Sequence, residues 1–261
     1  MAVYEVDGVA GEEAGEGIPV VLLHGLTATR RYVVMGSRTL ERGGHRVVAY
    51  DARGHGRSAP ADSYGYGELA ADLLAVLDDR SIDSAVLAGA SMGAHTIVRL
   101  ALEHPGRVRG AVIVTPAFDP EDHDDLERWD GLSDGLRSGG IDGFLAAYGT
   151  PATPERLHAT IERVIRQRLS EHAHLDAVAD ALRQVPRSRP FEAWDDLHAI
   201  DSPVVVVASR DEPDPGHPYA VGERYAGTIP GARLVSEEPG ESPLAWQGGQ
   251  LSKVIAELAR A

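Results

Sequence analysis

Cysteine is absent from all 261 residues, and with it go disulfides, thiolate metal sites and a cysteine nucleophile. That absence fits a reducing compartment. Basic residues are outnumbered: 25 Lys and Arg stand against 40 Asp and Glu, a formal charge of −15. An acidic field repels polyanions, which argues against nucleic acid and anionic membrane surfaces as partners and favours solubility. No apolar run approaches the roughly 20 residues of a membrane span. Residues 1–17 are acidic and glycine-rich, without the basic start and apolar stretch of a secretory leader. The expected location is therefore the cytoplasm. There is no glycine-rich phosphate loop followed by lysine and no dinucleotide fingerprint, so no cofactor is implied. Asp122, His123, Asp124 and Asp125 read as an acidic surface, and no metal site is expected.

What is present is a rhythm. Short β-branched or aliphatic runs alternate with helical patterns, the signature of a parallel sheet with crossover helices. Strands are expected over 18–23, 46–50, 84–90, 108–115, 204–209 and 233–236. Helices are expected over 31–42, 68–79, 92–104, 154–169, 171–185, 219–229 and 251–260. In the second of these Leu69, Leu73, Val76 and Leu77 share one face. Between Pro116 and about Leu197 no strand is expected. The expected organisation is an α/β core over residues 1–116 and 198–261, with 117–197 inserted as a helical lid. A lid there would cover the edge of the sheet where ligands bind in open α/β folds.

One local pattern carries chemistry. Gly89-Ala90-Ser91-Met92-Gly93 lies between an expected strand and an expected helix. Gly-x-Ser-x-Gly in that context is a nucleophile elbow: the serine sits on a strained turn whose flanks must be very small. The helix that follows aims partial positive charge at the site. His24-Gly25 follows the first predicted strand, and Asp51-Ala52-Arg53-Gly54-His55-Gly56-Arg57-Ser58 follows the next. With the elbow, these motifs resemble the α/β-hydrolase fold family, in its lidded esterase- and lipase-like branch, over nearly the whole chain. The resemblance implies Ser91 as nucleophile and the backbone N–H groups of Leu26 and Met92 as oxyanion donors. It also implies that His24 and His55 orient loops. His95, one helical turn beyond Ser91, reads as a core histidine.

The resemblance fails at one point. Chain order in this fold is serine, then acid, then histidine. The acid belongs in Ser209-Arg210-Asp211-Glu212-Pro213-Asp214-Pro215, where Asp211 and Glu212 are both candidates and Asp211 is slightly preferred for its shorter side chain. The histidine should follow the last strand, but the chain reads Pro239-Gly240-Glu241-Ser242-Pro243 there, and no histidine occurs after His217. Three substitutes are open: Glu241, if burial beside another carboxylate makes it a useful base; His217, swinging in from the acid loop; or an insert histidine, His123, His158, His172 or His174. The expected function is hydrolysis of a carboxylic ester or related small acyl substrate with an atypical base. A pocket that binds without turnover, and a lyase or transferase using the same oxyanion site, are the alternatives. Phe118, Trp129, Phe144, Leu145 and Tyr148 could line an acyl pocket, although most read better as the insert's own core.

Overall fold

The β-branched and aliphatic runs become strands β1 (Ala2–Val6), β2 (Val9–Ala14), β3 (Ile18–Leu23), β4 (His45–Tyr50), β5 (Ala85–Ala90), β6 (Val108–Val114), β7 (Val204–Val207) and β8 (Arg233–Val235). The computed structural model describes residues 2–122, 125–210, 214–238 and 240–260. The strands form one eight-stranded sheet in the order β1-β2-β4-β3-β5-β6-β7-β8. The β1–β2 and β2–β4 pairs are antiparallel, and every later pair is parallel. All four valines of β7 are buried, as expected for a strand covered on both faces.

The helices are α1 (Thr39–Arg42), α2 (Tyr66–Asp79), α3 (Met92–Glu103), α4 (Leu126–Tyr148), α5 (Glu155–Ser170), α6 (Leu175–Gln184), α7 (Tyr219–Thr228) and α8 (Gly248–Arg260). On one face of the sheet Leu73, Val76 and Leu77 of α2, Ile97 and Leu100 of α3 and Tyr225 of α7 pack against Val21, Leu87 and Ile113. On the other, Leu40 of α1 and Leu251, Ile255 and Ala259 of α8 pack against Val20, Val86 and Val112. This two-sided core fixes the sheet, and its crossover order fixes the site. From β3 the chain moves to β4 on one side, then returns to place β5 on the other. The loops after β3 and β5 therefore diverge, leaving the crevice where α/β sheets bind ligands.

At the N-terminal end one element was unexpected and one expectation requires correction. Residues 1–17 hold a hairpin, because Asp7 (φ 49°) and Gly8 (φ 80°) make a two-residue left-handed turn that pairs Val6 with Val9. The helix expected over 31–42 is reduced to a 3-10 turn, Arg30–Tyr32, and the single turn of α1. Met35 (φ 48°) and Gly36 (φ 72°) interrupt it. The interruption lets Val33 and Val34 bury side by side against α8, whose Gly248 leaves no room for a β-carbon: one would lie 2.0 Å from Val34 O.

Between β6 and β7 the described residues contain helices and no strand. α4 has no counterpart among the expected elements, since its five glycines hide the helical period. It breaks at Gly140 (φ 58°, ψ −143°), and its halves fold back so closely that a β-carbon on Gly143 would lie 2.1 Å from Gly135 O. Phe144, Leu132, Leu136, Ile165, Leu169 and Leu182 form the insert's own core, with Trp129, Leu145 and Tyr148 packed against it. Phe118 instead packs on the sheet's core, with Phe191 at 5.1 Å between ring centroids. Hydrogen bonds seat the insert on the loops after β3 and β4: Thr29 Oγ1 donates to Glu171, and Gly56 N donates to His172 Nδ1 (2.8 and 2.7 Å). No helix among the described residues is long and apolar enough to cross a membrane.

Candidate active site

Ser91 joins β5 to α3 with φ 50° and ψ −112°, a left-handed conformation that costs on the order of 1–3 kcal/mol for a residue with a β-carbon. Neighbouring side chains had to disappear to allow it. A β-carbon on Gly89 would lie 2.5 Å from the Gly93 carbonyl carbon, and one on Gly93 would lie 2.4 Å from Leu23 O. Both glycines are therefore steric requirements of the turn. Ser91 N donates to Val114 O at 2.9 Å, fixing the turn from below. The residue is partly exposed, and its hydroxyl forms no hydrogen bond among the described residues.

The turn after β3 passes directly above it. A β-carbon on Gly25 would approach Ser91 Cβ to 3.4 Å. The Gly25 carbonyl is held by two donors, His24 Nδ1–H at 2.8 Å and Ala28 N–H at 3.0 Å. In a trans peptide the N–H points opposite to the C=O. Leu26 N–H is thus turned away from those two groups, and it has no hydrogen-bond partner among the described residues. Met92 N–H, at the first residue of α3, is equally without one. Two unpaired amides, in the turns that meet at Ser91, are groups able to hold a developing negative oxygen.

Four buried imidazoles brace this region. Burial lowers His24 to about 4 and His95 to about 3. It also lowers His172, and holds His55 well below the usual histidine range. Their bonds agree with neutrality. His24 Nε2 accepts from Ala52 N (2.9 Å), and His95 Nε2 accepts from Ala117 N and Phe118 N (3.1 and 3.2 Å). His172 Nδ1 accepts from Gly56 N while its Nε2–H donates to Thr27 O (3.1 Å), so the insert grips the turn beside Leu26. Both ring nitrogens of His24 and of His95 are thus engaged within the protein's own hydrogen bonds. Since these pKa values lie below the unfolded value near 6.5, the unfolded chain binds protons first as pH falls. Stability from these groups is fully present above about pH 6.5 and declines toward pH 4. By pH 5 His24 and His95 should each cost about 2 kcal/mol. Thermal unfolding should give a lower Tm at pH 5 than at pH 7; a higher Tm at pH 5 would contradict the assigned tautomers.

The expected acid and base are distributed unevenly. Asp211 and Glu212 lie outside the described residues. His217 is partly buried, and its Nδ1 lies 2.9 Å from Oδ1 of Asp214, a pairing that sequence reasoning missed. The only signal was the three-residue spacing within a proline-rich loop. His217 also lies near enough to His95, four residues past Ser91, to depress its protonation. Glu241 is exposed, so the burial that its base role required is absent; its backbone N–H bonds Glu238 O at 3.0 Å. A second missed carboxylate is Glu237, buried, which accepts from Arg210 N (2.6 Å) and Leu244 N (2.9 Å) and so ties together the loops after β7 and β8. Of the insert histidines, His158 donates to Thr153 O (2.8 Å), His174 is exposed, His172 has both nitrogens engaged, and His123 lies outside the described residues. Among the described residues no cluster of three or more side chains could hold a metal ion.

Comparison with known proteins agrees with this architecture. The alpha/beta hydrolase fold family model matches residues 18–248. A protein of Variovorax paradoxus bearing the name "Putative carbamate hydrolase RutD" is 31% identical over 85% of this chain and 82% of its own length. A protein of Mycobacterium phage D29 bearing the name "Putative non-heme haloperoxidase" is 40% identical, over 43% of this chain and 41% of its own length. A thermophilic esterase from Thermogutta terrifontis superposes with a TM-score of 0.80 at 25% identity, covering 97% of this chain and 93% of its own. With the elbow, the switch-point crevice and the family match in agreement, the chain belongs to the α/β-hydrolase fold family and stands among the hydrolases of that fold.

Proposed function

We propose that the chain is a serine hydrolase acting on a carboxylic ester or a related small acyl compound. Ser91 is the nucleophile, and the Leu26 and Met92 N–H groups receive the oxyanion. His217 serves as general base, oriented by Asp214; this reading takes the acid role from Asp211 and the base role from Glu241. With Nδ1–H directed at Asp214, His217 keeps the Nε2 lone pair free to accept the Ser91 proton. The carboxylate fixes the tautomer and stabilises the imidazolium that forms. Ser91 Oγ then bonds to the acyl carbon and expels the alcohol, which takes the proton back from His217. Water, activated by the same imidazole, releases the acid and restores Ser91. Residues 117–197 act as a lid over this crevice.

The observation that carries the reading is the unbonded Ser91 hydroxyl on its left-handed turn, with unpaired amides in its own turn and in the turn after β3. The carbamate hydrolase and esterase names of two relatives agree with acyl chemistry. The test is rapid mixing with excess p-nitrophenyl acetate. A burst of p-nitrophenol approaching one equivalent per chain, followed by slower turnover, is the expected trace of an acyl-enzyme. Absence of any ester turnover between pH 5 and pH 9 would overturn the reading.

A further inference from the structure

α5 is seated on the insert's core by Ile165 and Leu169, and between these two positions in sequence it carries Arg168. Several arginines of the insert are paired: Arg137 with Asp180, Arg166 with Asp142 and Glu162, Arg183 with Asp134, Arg187 with Asp130. Arg168 is not. Its Nε is closed off from solvent and has no hydrogen-bond partner, and the guanidinium forms no ion pair among the described residues. A buried polar group is ordinarily satisfied, and a buried charge all the more so.

Tyr148 of α4, Tyr32 after β3 and Asp214 after β7 act on Arg168, whose pKa burial pushes below the usual arginine range. Arg168 in turn acts on His172, which holds Thr27 O beside Leu26. The end of α5 that carries Arg168 is fastened to the β3 loop, since Glu171 and His172 bond Thr29, Tyr32 and Thr27, and Gly25 of that loop lies against Ser91. Neither nearby carboxylate is free to neutralise it. Asp214 is committed to His217, and Glu171 to Thr29, Tyr32 and Arg31.

We propose that Arg168 selects the substrate: the acyl or alcohol part carries a carboxylate that seats on this guanidinium while its ester carbonyl reaches Ser91. A guanidinium matches a carboxylate through two parallel N–H···O bonds and stays charged at any working pH. In a chain of charge −15, whose overall field disfavours anions, a lone enclosed cation is the local feature able to hold one. The inference deepens the serine hydrolase reading and depends on it for turnover, but not for binding.

The test compares p-nitrophenyl hydrogen adipate with its methyl ester, which differ in one charge. Wild-type protein should favour the acid by at least about tenfold in kcat/KM, mainly through KM. In Arg168→Gln that ratio should fall to about one, and Arg168→Lys should restore part of it. A wild-type ratio near one, or a ratio that Arg168→Gln leaves unaltered, would overturn the proposal. If neither ester is turned over and a fluorophosphonate does not label Ser91, the serine reading has failed on its own. Calorimetry with adipate then decides the anion site: binding to wild type that is lost in Arg168→Gln sustains it, and no binding overturns it.

Discussion

His217→Ala should lower kcat/KM for p-nitrophenyl acetate by roughly 10³–10⁴-fold, and Glu241→Gln should leave it within about twofold. The contrast follows from where the two side chains stand. His217 is partly enclosed and has its Nδ1 on a carboxylate; Glu241 lies in solvent without a side-chain partner among the described residues. An imidazole held in one tautomer presents a base suited to neutral pH, whereas an exposed carboxylate takes a serine proton poorly. Asp214→Asn supplies the third comparison. It should reduce turnover by about 10²–10⁴-fold with little change in KM, since the amide can hold the ring in the wrong tautomer. Loss of activity in Glu241→Gln together with survival in His217→Ala would return the base role to Glu241.

Ser91→Ala should remove ester turnover by at least about 10⁴-fold while leaving substrate affinity nearly intact. The hydroxyl supplies the bond-forming atom, but it makes no hydrogen bond among the described residues, so its removal disturbs little of the fold. Any residual rate would come from the Leu26 and Met92 amides, which polarise a bound carbonyl without the serine. This outcome separates the hydrolase from a pocket that only binds. In the second case wild type and Ser91→Ala would bind alike and neither would turn over ester.

Much of the frame was legible because its causes are local. The valine and leucine runs of β3, β5, β6 and β7 announce buried strands, and Gly89-Ala90-Ser91-Met92-Gly93 announces its turn because glycines are sterically forced there. α4 was illegible for the opposite reason: Gly135 and Gly143 serve packing between its halves, so they break the period that sequence reading relies on. The hairpin of β1 and β2 was hidden behind its acidic residues, although Asp7-Gly8 is a strong turn signal. The region around Ser91 divides the same way. The elbow itself is contiguous in sequence, while His172 reaches Thr27 across 145 positions and only folding brings the two together. The pairing of His217 with Asp214 is close in sequence but carries no periodic or motif signal, so coordinates were needed to see it. Arg168 is one of many arginines in the insert, and what sets it apart is an Nε both closed off from solvent and without a partner.

The most direct measurement is the mass of the intact protein after reaction with a fluorophosphonate at pH 7.5, followed by peptide mapping. One adduct per chain, carried by the peptide containing Ser91 and absent from Ser91→Ala, is the predicted result. An unmodified chain, or an adduct on a different residue that persists in Ser91→Ala, would contradict the claim that this hydroxyl is an activated nucleophile.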